Sequence, residues 1–149
     1  MRAVVQRIRN CSVCAGERQT GKVDEGLLVY LGVGRNDTER DAQFLCDKIV
    51  NLRIFPDGAG KMNLSVRDAG GGVMVVSQFT LYGDAREGRR PSYTEAADPQ
   101  KARALYERAL QILHETGVPV ASGEFQAAME VSSTNLGPVT ILLDSEKKF

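Results

Sequence analysis

The chain offers few of the side chains that usually do acid–base or nucleophilic chemistry. It has one histidine, His114, and three cysteines, Cys11, Cys14 and Cys46. His114 falls near the end of a predicted helix, where the helix dipole favours a cation, so its position needs no catalytic explanation. A Ser-His-Asp triad would have to use it, and no Gly-x-Ser-x-Gly elbow accompanies it. Phosphate-loop and His-Glu-x-x-His motifs are also absent. Cys11-x-x-Cys14 has the spacing of a redox pair, which would need a thiol of low pKa. It lies in a predicted strand, however, where residues three apart point to opposite faces. No second pair completes a zinc site, and buried cysteine commonly acts as a small hydrophobe. Neither a metal nor a cofactor is expected.

Three segments remain. Arg86-Glu87-Gly88-Arg89-Arg90 is the one basic cluster; arginine forks suit phosphate, while Asp84 and Glu87 would partly neutralise a merely solvated loop. Ser77-Gln78-Phe79-Thr80 closes an apolar run. Hydroxyls, an amide and an aromatic ring at a strand end can line a pocket, or can simply pair across strands. Asn135-Leu136-Gly137-Pro138-Val139-Thr140 opens the last apolar run, and Gly-Pro there reads as a turn.

The elements that position these segments follow from periodicity and punctuation. Ala3–Ile8 and Ser12–Ala15 read as two short strands joined by Arg9-Asn10. Gly21–Gly26 reads as a turn region, and Leu27–Val33 as a strand buried on both faces. Thr38 opens a helix with Asp41 three residues on in a capping-box pattern, and Ala42, Leu45, Cys46 and Ile49 give it an apolar stripe. Leu52–Phe55 and Val73–Val76 are further strands, the second running on through Ser77–Tyr82. Asp98 caps a second helix that has Pro99 at its first position. Its stripe is Ala102, Leu105, Tyr106, Ala109, Ile112 and Leu113, and Gly117 ends it. Val118–Ala121, Phe125–Val131 and Val139–Leu143 read as closing strands. The two halves repeat a similar order, which hints at a pseudo-duplicated α/β unit.

Composition sets the class. A chain of 149 residues fits one domain, 1–149, and buries a core without staples. With 19 Lys+Arg against 19 Asp+Glu the formal net charge is zero, which argues against a strongly basic nucleic-acid binder while leaving room for a local patch. No run approaches the roughly 20 apolar residues of a membrane span. Arg7 interrupts the stretch where an export signal would be apolar. With an odd number of cysteines, the reading is a cytoplasmic protein.

Taken together and in order, these motifs resemble the D-aminoacyl-tRNA deacylases, also called D-tyrosyl-tRNA deacylases. The resemblance spans nearly the whole chain. It runs through Arg2–Arg7, Gly26–Val29, Lys48–Phe55, Gly60–Ser65, Ser77–Asp84, Arg90–Tyr93 and Asn135-x-Gly137-Pro138-Val139-Thr140. It implies a three-layer β/β/α sandwich with mixed, mostly antiparallel sheets, and a homodimer whose active site lies at the interface. Ser77, Gln78, Phe79 and Thr80 would line the site from one subunit. The Gly137-Pro138 turn, with a cis bond, would enter from the other, held by Arg7, its carbonyls gripping the substrate's α-amino group. Met129 is expected among the substrate contacts, and Arg86, Arg89 and Arg90 among those to tRNA. The implied reaction is hydrolysis of the ester in D-aminoacyl-tRNA, and of glycine on a wrong tRNA, as a proofreading step of translation. A non-catalytic RNA-binding module of the same fold is the alternative.

The residues agree with that chemistry. An aminoacyl ester is already activated, so orientation and oxyanion stabilisation matter more than a strong base. Thr80 could act as a nucleophile. Alternatively the terminal 2′-OH of the tRNA assists while backbone amides near Phe79 and Thr80 polarise the ester carbonyl, and Gln78 and Phe79 orient the terminal ribose and adenine. The second is preferred, because no base for Thr80 is evident. The chain departs from the family pattern at Leu136, a position usually acidic, at Gln126, usually Gly, and at Cys11, commonly Ala.

Overall fold

Alternation of buried residues splits the strands between two cores, one on each face of a single sheet. The computed structural model describes Met1–Phe149. In chain order its elements are β1 (Arg2–Ala15), β2 (Arg18–Gly32), α1 (Glu39–Asn51), β3 (Phe55–Pro56), β4 (Met62–Leu64) and β5 (Gly72–Ser77). A 3-10 helix (Phe79–Tyr82), α2 (Pro99–Glu115), β6 (Val120–Ser122) and β7 (Met129–Asp144) complete it. Five strands form a mixed sheet in the order β6-β5-β2-β1-β7, while β3 and β4 pair separately. β1 is antiparallel to both β2 and β7, and β5 is parallel to β2 and to β6.

Ala3, Val5, Leu27, Val29, Leu31, Val73 and Val75 point to one face, where α1 and α2 cover them with Leu45, Ile49, Tyr106, Ala109 and Leu113. The intervening residues Ile8, Cys11, Val13, Val23, Leu28, Met74 and Val76 form a second core on the other face. No helix covers that face. The far half of the β1–β2 hairpin does so by bending back: a Cβ on Gly21 would lie 3.0 Å from the Met74 side chain and 3.2 Å from Ala121. Gly26 permits the bend, with φ +149° and a carbonyl of Gly72 where its Cβ would stand. The β/β/α layering is therefore made by one bent sheet plus two helices.

Both helices start where the punctuation placed them, and α2 also stops there. The Asp41 carboxylate accepts from the Thr38 N–H and hydroxyl at 2.8 Å each. Asp98 accepts from the N–H groups of Gln100 and Lys101 at 3.0 Å, and Gly117 follows α2 with φ +81°. The expected strand breaks fare differently. Arg9-Asn10 is no turn but a bulge inside one continuous β1, with Asn10 at φ +53° and the β7 register slipping between Arg9 and Ser12. Gly21–Gly26 lies within β2, and the reversal falls at Gly16, φ +59°. Leu52–Ile54 is not a strand; β3 begins at Phe55. Of the strands expected over Phe125–Val131 and Val139–Leu143, Met129–Val131 and the whole of the second merge into β7, while Phe125–Ala128 form the turn before it. The run expected through Ser77–Tyr82 turns after Ser77 into the 3-10 helix. No helix is long and apolar enough to cross a membrane.

Candidate active site

The end of β5 opens into an apolar hollow of about 520 Å³. Ser77, Gln78 and Phe79 form one wall, α2 supplies Pro99, Ala102 and Tyr106, the turn before β7 supplies Phe125 and Gln126, and β7 itself supplies Met129. Small side chains at Ala97, Ala102 and Ala127 leave the space empty. Of the lining residues only Ser77, Gln78, Gln126 and Tyr106 carry a polar side-chain group. Tyr106 cannot serve as a base: burial pushes its phenol up to about 12, and its hydroxyl donates to the Val75 carbonyl at 3.0 Å.

The 3-10 helix hangs from this wall. The Gln78 N–H donates to the Leu31 carbonyl at 2.8 Å, which fixes the point where the chain leaves the sheet. The Gln78 side-chain amide donates to the Thr80 hydroxyl oxygen. Phe79 is 58% exposed and meets Tyr93 edge to face at 5.1 Å. The N–H groups of Phe79 and Thr80 sit in the first turn, where a helix has no internal acceptor for them. The far end of the helix is anchored by the buried Tyr82. Its hydroxyl donates to Asp37 at 3.3 Å, and Asp37 also accepts from the Met1 ammonium at 2.5 Å. Burial, then the Asp37 charge, pushes the Tyr82 phenol far up. Arg2 stacks over the Tyr82 ring at 4.5 Å and donates to the Leu81 carbonyl at 3.0 Å.

The Gly137-Pro138 peptide is cis. It lies in a bulge of β7: Gln6 pairs with Thr140 and Ile8 with Asn135, so Arg7 alone faces the four residues Leu136–Val139. Arg7 holds the bulge from below, donating to the carbonyls of Leu136 at 3.3 Å and of Ile54 at 2.6 Å. Asn135 holds it from its base, accepting from the Val139 N–H at 3.1 Å and donating to the Thr140 hydroxyl at 3.0 Å. Position 137 admits only glycine. Its φ is +116°, and a Cβ would come within 2.8 Å of the Arg7 guanidinium and 2.9 Å of Val139. Gly137 and Pro138 are themselves exposed.

Within one chain the structure joins Ser77, Gln78, Phe79 and Met129 in the hollow, with Thr80 beside it on the 3-10 helix. It joins Arg7, Gly137 and Pro138 at the opposite edge of the sheet. The bulge is three strands across from β5 and, through Leu27 and Val73, level with a residue four before Ser77. At sheet spacings that is a gap of roughly 20 Å. Arg86, Arg89 and Arg90 lie together on an exposed loop, with Arg86 paired to Asp84 and the other two free of ion pairs. That pairing holds the Asp84 carboxyl down at about 2.

His114 is exposed at the last turn of α2, away from both features. Cys11 and Cys46 are buried free thiols. Burial raises both, Cys46 to about 12, the opposite of what redox chemistry requires. Sequence reasoning missed Ala102, Tyr106 and Phe125 as pocket walls, because an apolar stripe does not say which of its residues stop short of the core. The signal was the run of small residues at Ala97, Ala102 and Ala127, which cannot fill the space facing them.

The chain thus carries an apolar hollow at a strand end, a helix start with free N–H groups beside it, and a backbone bulge on the far edge of the sheet. Residues 4–144 match the family described as D-Tyr-tRNA(Tyr) deacylase. A protein of Thermotoga petrophila named D-aminoacyl-tRNA deacylase is 58% identical over 149 residues, the whole of both chains. One of Syntrophobacter fumaroxidans with the same name is 57% identical over the same full length. Among solved structures, the c-Myc DNA unwinding element binding protein superposes with a TM-score of 0.91 at 36% identity, covering 97% of this chain and 98% of its own. A probable eukaryotic D-amino acid tRNA deacylase does so with a TM-score of 0.80, covering 95% and 97%. At 16% identity that second likeness speaks for the fold alone. The chain belongs to the D-Tyr-tRNA(Tyr) deacylase family.

Proposed function

We infer that this protein is a D-aminoacyl-tRNA deacylase, an ester hydrolase that acts on aminoacyl-tRNA. The observation that carries the reading is full-length identity above one half with relatives that bear that name. The hollow takes the terminal adenosine, its apolar walls matching a flat base and Gln78 and Phe79 bordering the ribose. The free N–H groups of Phe79 and Thr80 receive the ester carbonyl oxygen as it gains charge. Water adds to the acyl carbon, the bond to the ribose oxygen breaks, and that oxygen takes up a proton. The terminal 2′-OH of the substrate assists, since Tyr106, the hollow's only ionisable lining residue, stays neutral and the Thr80 hydroxyl has no basic partner.

Handedness is read by the Gly137-Pro138 bulge, whose carbonyls accept the α-ammonium and leave no room for an L side chain. Glycine, having no side chain, passes the same gate. The gap between bulge and hollow within one chain supports a site completed by a second copy, each subunit lending its bulge to the other's hollow. Arg89 and Arg90 lie free to meet tRNA phosphates. The decisive assay follows release of amino acid from D-Tyr-tRNA and L-Tyr-tRNA. Hydrolysis of the first and not the second is expected; hydrolysis of neither overturns the reading. A second reading, nucleic-acid binding without turnover, is favoured by the 36% identical solved structure, a protein named for binding a DNA element. Binding of D-Tyr-tRNA without hydrolysis would select it.

A further inference from the structure

The rim of the apolar hollow carries a cation that the proposed reaction leaves unused. Pro99, Ala102 and Tyr106 face the hollow from α2. Arg103, four residues after Pro99, stands on the flank of that same face. Its guanidinium lies over the Phe125 ring, 4.7 Å from the centroid, and donates to the Gln126 side-chain oxygen at 3.5 Å. Phe125 and Gln126 both line the hollow. Gln126 reaches the guanidinium from a left-handed backbone, φ +66°. The charge is thus held in place by an aromatic face and an amide, neither of which cancels it. Its ion-pair partner, Glu107, is one helical turn away at 3.7 Å, and the Arg103 side chain remains 49% exposed. An exposed pair of that length on one helix neutralises little. A fixed guanidinium with free N–H groups at a pocket mouth suits a phosphate.

We propose that Arg103 binds the phosphate that joins the last two nucleotides of the substrate. The hollow is then a site for a nucleotide rather than for a nucleoside alone. The inference rests on the terminal adenosine occupying the hollow: a base seated there leaves its 5′ phosphate one ribose away, at the mouth. Phe125 and Gln126 are positioning residues for Arg103, so base recognition and phosphate recognition share one turn of the chain.

The test compares two substrates, D-tyrosyl-tRNA and D-tyrosyl-adenosine, which has the same ester and base but no phosphate. For Arg103→Ala, KM for D-tyrosyl-tRNA is expected to rise about tenfold, against less than about twofold for D-tyrosyl-adenosine. The dependence of log KM on log salt should flatten by about 0.7 for the lost single-strand phosphate contact. Arg103→Lys should restore part of the preference for tRNA, having the charge without the fork. Equal losses on both substrates would mean that Arg103 only props the Phe125 wall, and would overturn the proposal. So would unchanged kinetics with an unchanged salt slope. If wild-type protein hydrolyses neither substrate, the deacylase reading falls with it; if it hydrolyses both and only the Arg103 outcomes fail, that reading stands.

Discussion

The two ends of the proposed site are built on opposite plans. The hollow beside β5 is defined by side chains and by what they omit: three alanines, a proline and an aromatic rim around empty space. The bulge of β7 is defined by backbone, with Arg7 fixing the Leu136 carbonyl at one end and Asn135 the Val139 N–H at the other. A side-chain hollow grades its ligands by volume and apolar area, so it tolerates change at any one position. A backbone bulge held by a few directed hydrogen bonds has one shape, and a single added atom can remove it. Rejecting one hand of an amino acid suits the second plan, because the two hands differ in direction and not in size or polarity.

The largest effect should come from adding that atom. Gly137→Ala puts a methyl against Arg7 at a backbone angle that L residues rarely adopt, at about 1–3 kcal/mol for the strain alone. Deacylation of D-Tyr-tRNA should fall at least about a hundredfold, read as kcat in single-turnover assays. Retention of wild-type rates would mean that the shape of the bulge does not matter to turnover. Ala102→Leu makes the contrasting change, filling part of the hollow. KM should rise about tenfold with kcat and melting temperature little altered. If the site is shared between copies, then at substrate well below KM, where Ala102→Leu alone keeps about a tenth of wild-type activity, a mixture of these two variants should reach about a quarter of it through mixed dimers with one intact site. No recovery on mixing would place bulge and hollow in separate functions.

Thr80→Ala should have a smaller effect, with at least about a tenth of activity kept, because only the Gln78 amide contacts the hydroxyl and no base does. Loss of turnover with intact tRNA binding would make Thr80 the nucleophile. The smallest effect concerns acid. The carboxyl of Asp57 is held low by backbone N–H groups of Lys61 and Ala59, that of Asp68 by Ser65, and that of Asp84 by Arg86 at about 2. Folded values below unfolded ones give stabilisation that is complete above the unfolded value near about 4 and is lost as pH falls through the folded values. All three are at the surface, where solvent screens such contacts, so the stability at stake is small. The gap in melting temperature between wild type and Asp84→Asn should close as pH falls toward about 2. A gap that widens instead would contradict the sign.

What could be read from the sequence depended on how local its cause was. Helix ends are decided within four residues, and Thr38, Asp98-Pro99 and Gly117 all mark them correctly. Strand ends are decided by distant partners. Asn10, Gly21 and Gly26 carry turn chemistry, yet β1 and β2 run through them because pairing continues on either side. There the same residues make bulges and bends, and the second β layer with them. The site divides in the same way. Ser77–Thr80 and Asn135–Thr140 stand out because their polar groups interrupt apolar runs. Tyr106, Phe125 and Arg103 do not, since their roles come from facing a space that only the packed structure contains.

The bulge at Gly137-Pro138 has one more consequence, for the protein's behaviour in a crowded solution. β7 is an outermost strand 16 residues long. An edge of that length with a regular row of open N–H and C=O groups invites another strand to add to it. Four looped-out residues divide that row into two short stretches, and Pro138 has no N–H to offer. The device proposed to choose one hand of substrate also interrupts the edge on which a ribbon of added strands would grow.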